Sequence, residues 1–179
     1  MTRMIALLRA VNVGKRRLAM AELREVAADF GFLDARTYLA SGNLVFSAGE
    51  HDPEIAAQHL EAAITARFGW TSEAILRTDP QWAIYAAGSP FAEADQDRAK
   101  MLHLLLSKRL PAPDAVARLA ERCTAGEQVA RRGDAIWIDF AAGVGQSKLT
   151  PAFIDKCIGS PTTARNWNTV LQLDAMMRS

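Results

Sequence analysis

The stretch that decides the fold is Ala35-Arg-Thr-Tyr-Leu-Ala-Ser-Gly-Asn-Leu-Val-Phe46. Its centre, Ser41-Gly42-Asn43, is a run of turn formers, and Gly and Asn tolerate a positive φ. The flanking segments, around Ala35–Leu39 and Leu44–Phe46, contain the apolar, aromatic and β-branched residues that strands favour. The pattern therefore predicts a hairpin of two antiparallel strands.

The hairpin lies between two predicted helices, and the helices lie between two further strands. Apolar residues recur at three- and four-residue steps in both helical segments, and Gly31 and Gly69 stand where helix ends are expected. The four flanking elements are Met4–Leu8, Leu18–Phe30, Pro53–Phe68 and Ala74–Leu76. The resulting order, βαββαβ, is the split βαβ arrangement of ferredoxin-like folds.

The second half of the chain repeats much of this order. Met101–Leu106 is apolar on both faces and predicts a central strand. It is followed by a helix from Pro113, strands Gln128–Arg131 and Ile136–Phe140, a helix from Leu149 to Ile158, and a last helix from about Asn166 to Met177. We therefore predict an α+β fold of two ferredoxin-like halves, residues 1–88 and 89–179, the second ending in a helix in place of its fourth strand.

Composition excludes several classes of protein. The chain has 179 residues, of which 50% are hydrophobic and 23% charged, and this excludes a disordered tail, a collagen-like fibre and a membrane protein. With 21 basic and 20 acidic residues the net charge is +1, so any partner must be argued from local patches. Cys123 and Cys157 have no disulfide or metal spacing, and Met4–Leu8 is too short for a signal peptide or a membrane span. We expect a cytoplasmic protein without a membrane partner.

The first candidate site lies at one edge of the first predicted sheet. The loop after the first strand contains Arg9, Asn12 and Gly14, and the hairpin turn contains Ser41 and Asn43. The split βαβ topology makes these segments neighbours, and arginine, amide groups and exposed backbone N–H groups can hold a phosphate or a carboxylate. The alternative is that asparagine and glycine only build tight turns there.

The second candidate site is the loop that contains Gly145, Ser147 and Lys148, before the helix at Leu149–Ile158. Unpaired N–H groups at such a turn can cradle an anion, and Lys148 would supply a counter-charge. The alternative is that Ser147 only caps the helix. Neither the Walker spacing nor a complete dinucleotide-binding pattern is present.

The third candidate site is Arg165-Asn166-Trp167-Asn168, at the start of the last predicted helix. The indole ring could stack on a planar base while the amides read its edge. Alternatively, Asn166 caps the helix, Trp167 lies in the core and Arg165 pairs with a carboxylate.

Other chemistry finds no support in the sequence. The three histidines, His51, His59 and His103, lack metal-ligand spacing, so we expect no metal and no cofactor. No motif for a covalent nucleophile is present, and the strands lack the aromatic signature of ordinary ferredoxin-like RNA readers.

The motifs together resemble the bacterial family known as domain of unknown function 1697. The resemblance is carried by segments in the same order along nearly the whole chain: Ala6–Gly14, Met20–Leu23, Gly31-Phe32, Thr37–Phe46, Lys100–Leu104, Ser147–Leu149 and Arg165–Val170. It implies a two-part α+β protein with ferredoxin-like pieces and implies no activity. Lys15-Arg16-Arg17 stands where relatives often have another glycine, which weakens the case for a glycine-rich phosphate loop.

These observations predict a binder of an anionic ligand, a nucleotide or a nucleic-acid phosphate, at strand and helix ends. Two alternatives remain open at this point. One is an enzyme acting on a phosphorylated or acylated metabolite, with Lys148 or Arg165 stabilising negative charge. The other is a protein-interaction or dimerisation module in which the polar motifs only cap turns.

Overall fold

The computed structural model describes residues 2–49 and 51–179. These residues form two compact units. The first contains the residues up to Ala83 together with Leu173–Ser179, and the second contains Ile84–Gln172. Each unit has one four-stranded antiparallel sheet, so the predicted α+β class is confirmed.

The first unit follows the predicted order of strands and helices. Its elements are β1 (Arg3–Leu8), α1 (Met20–Asp29), β2 (Leu33–Tyr38), β3 (Asn43–Ser47), α2 (Pro53–Phe68) and β4 (Ala74–Thr78), and the chain continues into α3 (Asp79–Ala86). The sheet has the order β2-β3-β1-β4. The hairpin pairs Tyr38 with Asn43, next to the turn that the sequence predicts.

The core of the first unit lies between the sheet and helices α1 and α2. Alternate residues of β1 (Met4, Ala6 and Leu8) join Leu23 of α1 and Leu60 of α2 in one buried apolar cluster. The intervening residues Ile5 and Leu7 are buried as well. Strand β1 is therefore buried on both faces.

Two arginines of the first sheet hold the C-terminal residues. The Arg3 guanidinium donates to the carbonyl oxygens of Met177 and Ser179, at 2.5 and 2.8 Å. The Arg36 guanidinium donates to the carbonyl oxygen of Met176 at 2.5 Å and to the Ser179 hydroxyl at 2.6 Å. Since the last carbonyls of a helix have no intrahelical partner, these bonds cap its end.

The second unit has the same order of strands and crossing helices. Its elements are α4 (Ala92–Asp97), β5 (Leu102–Ser107), α5 (Ala115–Ala120), β6 (Gln128–Arg132), β7 (Ala135–Asp139), α6 (Pro151–Ile158), β8 (Thr162–Asn166) and α7 (Trp167–Arg178), whose residues from Leu173 onward belong to the first unit. The sheet order is β6-β7-β5-β8, so β5 is the central strand that its sequence predicts. One face packs on α5 and α6 through Leu105, Ile136, Leu119 and Ile154.

The prediction that a helix replaces the fourth strand of the second half is wrong. Strand β8 pairs antiparallel with β5 along its whole length, and α7 follows it. The pattern concealed this strand because its inward positions are Thr163 and Arg165, while Ala164 between them is exposed. A strand whose buried side chains are polar and whose small apolar residue faces outward does not show the usual alternation.

Candidate functional site

The end of β1 and the β2–β3 turn lie together, as the topology predicted. The Leu8 N–H donates to the Gly42 carbonyl oxygen at 2.8 Å. The Asn12 side-chain amide donates to the Ala40 carbonyl oxygen at 2.6 Å. The structure therefore brings the loop after β1 and the hairpin turn into direct contact.

The two asparagines of this edge use their side chains within the fold. Asn12 also donates to the Leu18 carbonyl oxygen and accepts from the Leu18 N–H, each at 3.0 Å. Asn43 is fully buried and donates to the Tyr38 carbonyl oxygen at 2.8 Å and to the Ser41 hydroxyl at 3.0 Å. These contacts support the structural interpretation of Asn12, Ser41 and Asn43, which close the turn and the loop.

We expect Asn12→Ala to lower the free energy of unfolding by about 2 kcal/mol, because three hydrogen bonds are lost and Ala tolerates the observed φ of 57° less well than Asn. Urea denaturation measures this loss. The exposed Asn168 provides the control, and Asn168→Ala should change stability by less than about 0.5 kcal/mol. Equal, small effects at both positions would show that the Asn12 contacts do not hold the loop.

Arg9 and Gly14 have different surroundings from the asparagines. The Arg9 guanidinium lies 3.4 Å from the Glu73 carboxylate. Both residues line an open groove of about 710 Å³, together with Arg16 and Thr65. Gly14 is exposed, with a φ of 61° and open space around it. Arg9, the cation among the predicted binding residues of this edge, thus lies next to a carboxylate.

The loop that contains Gly145, Ser147 and Lys148 connects β7 to α6. Thr150, not Ser147, is the N-cap of α6: its hydroxyl oxygen accepts the Phe153 N–H at 3.3 Å, and Pro151 follows it. The Ser147 hydroxyl donates a short hydrogen bond to the Glu127 carboxylate and accepts the Leu149 N–H at 3.1 Å. Ser147 therefore connects the loop by a hydrogen bond to Glu127, the residue before β6.

The carboxylate of Glu127 holds this loop through its negative charge and its hydrogen bond with Ser147. Burial raises the pKa of its carboxyl, but the hydrogen bonds from Ser147 and from the Ala125 N–H, with the nearby charge of Lys148, outweigh that effect. The net pKa of Glu127 is lower than its ordinary value of 4.5. Its carboxylate is therefore ionised at neutral pH and holds the Ser147 hydroxyl.

A pH dependence of stability follows for the Ser147–Glu127 contact. A carboxylate whose pKa is lowered in the folded state adds stability above its unfolded pKa, and this stability is lost as the pH falls through the folded value. We expect Ser147→Ala to destabilise the protein more at neutral pH than at about pH 3. Urea denaturation at the two pH values measures the difference. A loss of equal size at both would contradict the ionised contact.

Lys148 and Arg122 lie on the wall of one open cleft, which we call the α5–α6 cleft. The cleft has a volume of about 530 Å³ and is lined by Glu121, Arg122, Thr124, Ser147, Lys148 and Thr150. The Arg122 guanidinium lies 3.9 Å above the centre of the Phe153 ring. Within residues 2–49 and 51–179, neither Arg122 nor Lys148 forms an ion pair with a carboxylate.

Most residues of the third candidate site, Arg165–Asn168, are at least partly buried. Burial lowers the pKa of Arg165 to about 10, and its guanidinium donates to the Thr163 hydroxyl and the Ala164 carbonyl oxygen, at 2.7 and 2.8 Å. The Asn166 side chain accepts the Thr169 N–H at 3.0 Å at the start of α7. Trp167 is buried against Trp137, with 5.6 Å between ring centroids, and Asn168 is exposed. Asn166 and Trp167 thus match the structural alternative.

The predicted residues fall into two groups by position. Arg9, Asn12, Gly14, Ser41 and Asn43 belong to the first unit, and the others belong to the second. Sequence reasoning missed Arg122 and Thr124. The topology contains a signal for them, since α5 must end at the edge of the sheet from which the β7–α6 loop leaves.

The histidines have apolar environments. Burial lowers the pKa of His103, whose ring packs against Phe140 and lies 3.1 Å from the Met101 carbonyl oxygen. His59 stacks on Phe30. In the part of the chain that the structure describes, no three His, Cys, Asp or Glu side chains form a group that could hold a metal ion. No helix of that part combines the length and apolar character needed to cross a bilayer.

The fold and these sites define a two-unit α+β protein with two antiparallel sheets and, in the second unit, an open cleft lined by Arg122 and Lys148. The chain belongs to the family described as protein of unknown function (DUF1697), whose model matches residues 1–137, which confirms the resemblance. Its fold is similar to that of the conserved bacterial protein SP0830 from Streptococcus pneumoniae, with a TM-score of 0.76, 20% identity and 99% of each chain covered. No curated protein matches the chain.

Proposed function

We propose that the protein binds a phosphate-bearing anion, a nucleotide or a nucleic-acid phosphate, in the α5–α6 cleft. The observation that carries this proposal is that Arg122 and Lys148, neither paired with a carboxylate in the described chain, line the same cleft. One carboxylate, that of Glu121, lines it as well. Of the lining side chains, two are cations and one is a carboxylate, and the Glu127 carboxylate, which binds Ser147, offsets part of the charge of Lys148.

The geometry of the cleft supports phosphate as the ligand group. The Arg122 guanidinium lies over the Phe153 ring, and its planar group can donate several N–H bonds to a phosphate. Lys148 supplies an ammonium group on a flexible side chain. The Thr150 oxygen accepts an N–H of α6, so its own O–H remains available as a donor. The volume of about 530 Å³ lies within the range of small-molecule sites.

The first unit supports anion binding less well. Two cations, Arg9 and Arg16, and two carboxylates, Glu61 and Glu73, line its groove. An anion there would have to compete with these carboxylates, and Arg9 already lies 3.4 Å from Glu73. The side chains of Asn12 and Asn43 are engaged with backbone groups and Ser41. For this reason we place the proposed site in the second unit.

We also propose that each unit is ferredoxin-like. The support is the strand order: β2-β3-β1-β4 in the first sheet and β6-β7-β5-β8 in the second are the same antiparallel arrangement of a βαββαβ unit. A cytoplasmic location is proposed as well, and it is supported by two free cysteines, whose thiol pKa values are raised by burial.

The test is calorimetric titration of the full chain with a nucleoside diphosphate and with a short single-stranded oligonucleotide at low salt. We expect Arg122→Ala and Lys148→Ala each to weaken binding about tenfold, because a charge-assisted contact to phosphate is lost. Added salt should weaken ligand binding by the native protein, and it should weaken binding by the two variants to a smaller extent.

Lys156→Ala is the matched control. Lys156 is an exposed lysine of α6 that does not line the cleft, so its removal changes the net charge equally. An equal loss of affinity in Lys156→Ala and Lys148→Ala would indicate non-specific attraction. An unchanged affinity in both cleft variants, or no binding to either ligand, would refute the proposal.

A further inference from the structure

We propose that two exposed loop tips of the first unit bind an acidic peptide segment that carries apolar side chains. The surface consists of Val13, Lys15, Arg17 and Leu39, and we call it the tip surface. It belongs to the loop between β1 and α1 and to the β2–β3 turn. It is separate from the residues of the α5–α6 cleft, so it goes beyond the function proposed above.

The two apolar residues of the tip surface are sequence neighbours of two residues that one hydrogen bond joins. Asn12 donates to the Ala40 carbonyl oxygen at 2.6 Å, Val13 follows Asn12, and Leu39 precedes Ala40. Val13 and Leu39 therefore flank this contact from the two loops. The further bonds of Asn12 to Leu18 fix the loop, so the pair is held in place by the fold.

Both apolar side chains are exposed, and the backbone of Leu39 is also strained. Val13 is 64% exposed and Leu39 is 56% exposed. Leu39 has a φ of 55°, a left-handed backbone conformation that is unfavourable for a residue other than glycine. Backbone strain of this kind persists where the surrounding structure imposes it, and it is concentrated at binding and active sites.

The charges beside this apolar pair determine the class of partner. Lys15 and Arg17 are exposed, and neither forms an ion pair within the described chain. The Arg16 guanidinium lies 5.8 Å from the centre of the Trp70 ring and also has no carboxylate partner there. Arg16 lies at the groove that also contains Arg9 and Glu73, whereas Lys15 and Arg17 are exposed cations in the same loop as Val13. Such cations in one loop with an exposed aliphatic side chain are complementary to carboxylates next to apolar side chains.

A peptide fits this surface better than a nucleic acid does. Bases bind single-strand readers by stacking on aromatic rings, whereas Val13 and Leu39 have no aromatic face. Burying an aliphatic side chain against another apolar side chain gives a favourable free energy, because apolar surface is removed from water. The cations alone would attract both partners, so the aliphatic pair favours the peptide.

The experiment measures fluorescence anisotropy of a labelled peptide of alternating Glu and Leu with the full-length protein at low salt. We expect Leu39→Asn to weaken binding about tenfold, since it removes apolar contact while Asn tolerates the positive φ. Lys15→Gln should weaken binding and reduce its salt dependence. Leu110→Asn, at an exposed leucine of the second unit, should have no effect.

The outcomes separate this proposal from the one for the cleft. Peptide binding that survives Arg122→Ala and Lys148→Ala but is weakened by Leu39→Asn supports the tip surface, even if the cleft binds no nucleotide. Three results would overturn it: no binding of the Glu-Leu peptide, equal binding of a peptide with Ser in place of Leu, or stronger binding of a single-stranded oligonucleotide that Leu39→Asn leaves unchanged. Binding of anionic vesicles without binding of the peptide would overturn it as well.

Discussion

Replacing Gly42 with Ala is expected to lower the free energy of unfolding by about 3 kcal/mol. Gly42 has a φ of 77°, and a Cβ there would lie 2.7 Å from the Cβ of Leu8 and 3.2 Å from Cγ2 of Val11. The variant combines an unfavourable backbone conformation with a clash against the central strand. Urea denaturation followed by circular dichroism measures the loss.

Gly31 separates these two contributions. It has a φ of 76°, and an added Cβ would meet nothing within 4 Å. Gly31→Ala should therefore cost only the backbone contribution, about 1 kcal/mol. If Gly42→Ala and Gly31→Ala lower the free energy of unfolding equally, the close approach of the hairpin turn to β1 has no energetic consequence. That result would contradict the claim that the turn packs tightly against β1.

The second large effect concerns the arginines that cap the C-terminal helix. Removing both side chains, by Arg3→Ala with Arg36→Ala, should lower the free energy of unfolding by about 3 kcal/mol, because several charge-assisted bonds to Met176, Met177 and Ser179 are lost. Backbone amides near the end of α7 should exchange hydrogen faster than in the native protein. Denaturation and hydrogen exchange measure the two effects.

Arg24→Ala is the control for that experiment. Arg24 is an exposed arginine of the same unit, with one side-chain hydrogen bond to Thr37. Its replacement should change stability by about 0.5 kcal/mol or less. Native exchange rates at the end of α7 in the double variant would show that the arginines do not hold this segment.

Much of the fold is predictable because its signals are local. Gly42 and Asn43 mark the hairpin turn, and the apolar run at Met101–Leu106 marks a central strand; the structure has a turn there and a central strand at Leu102–Ser107. Strand β8 is not predictable in this way. Its position is fixed by pairing with β5, and its buried Arg165 is accommodated by the hydroxyl of Thr163 and a backbone carbonyl, which a periodicity of apolar residues cannot reveal.

The candidate site is less predictable than the fold. Residue type suggests that Asn12 and Asn43 could bind a ligand, but only their hydrogen bonds reveal that they hold the backbone. Lys148 was found because it follows a glycine-containing loop. Arg122 was missed because its position beside Lys148 depends on where α5 ends relative to a segment far along the chain.

The most direct test of the central claim is a map of amide chemical-shift changes in the ¹⁵N-labelled full chain on addition of a nucleoside diphosphate. We predict saturable changes at Arg122, Thr124, Lys148 and Thr150, which line the α5–α6 cleft, and small changes at Asn12 and Asn43. Saturable changes centred on the loop after β1, or no saturable change at the cleft, would contradict the claim that this cleft is the anion site.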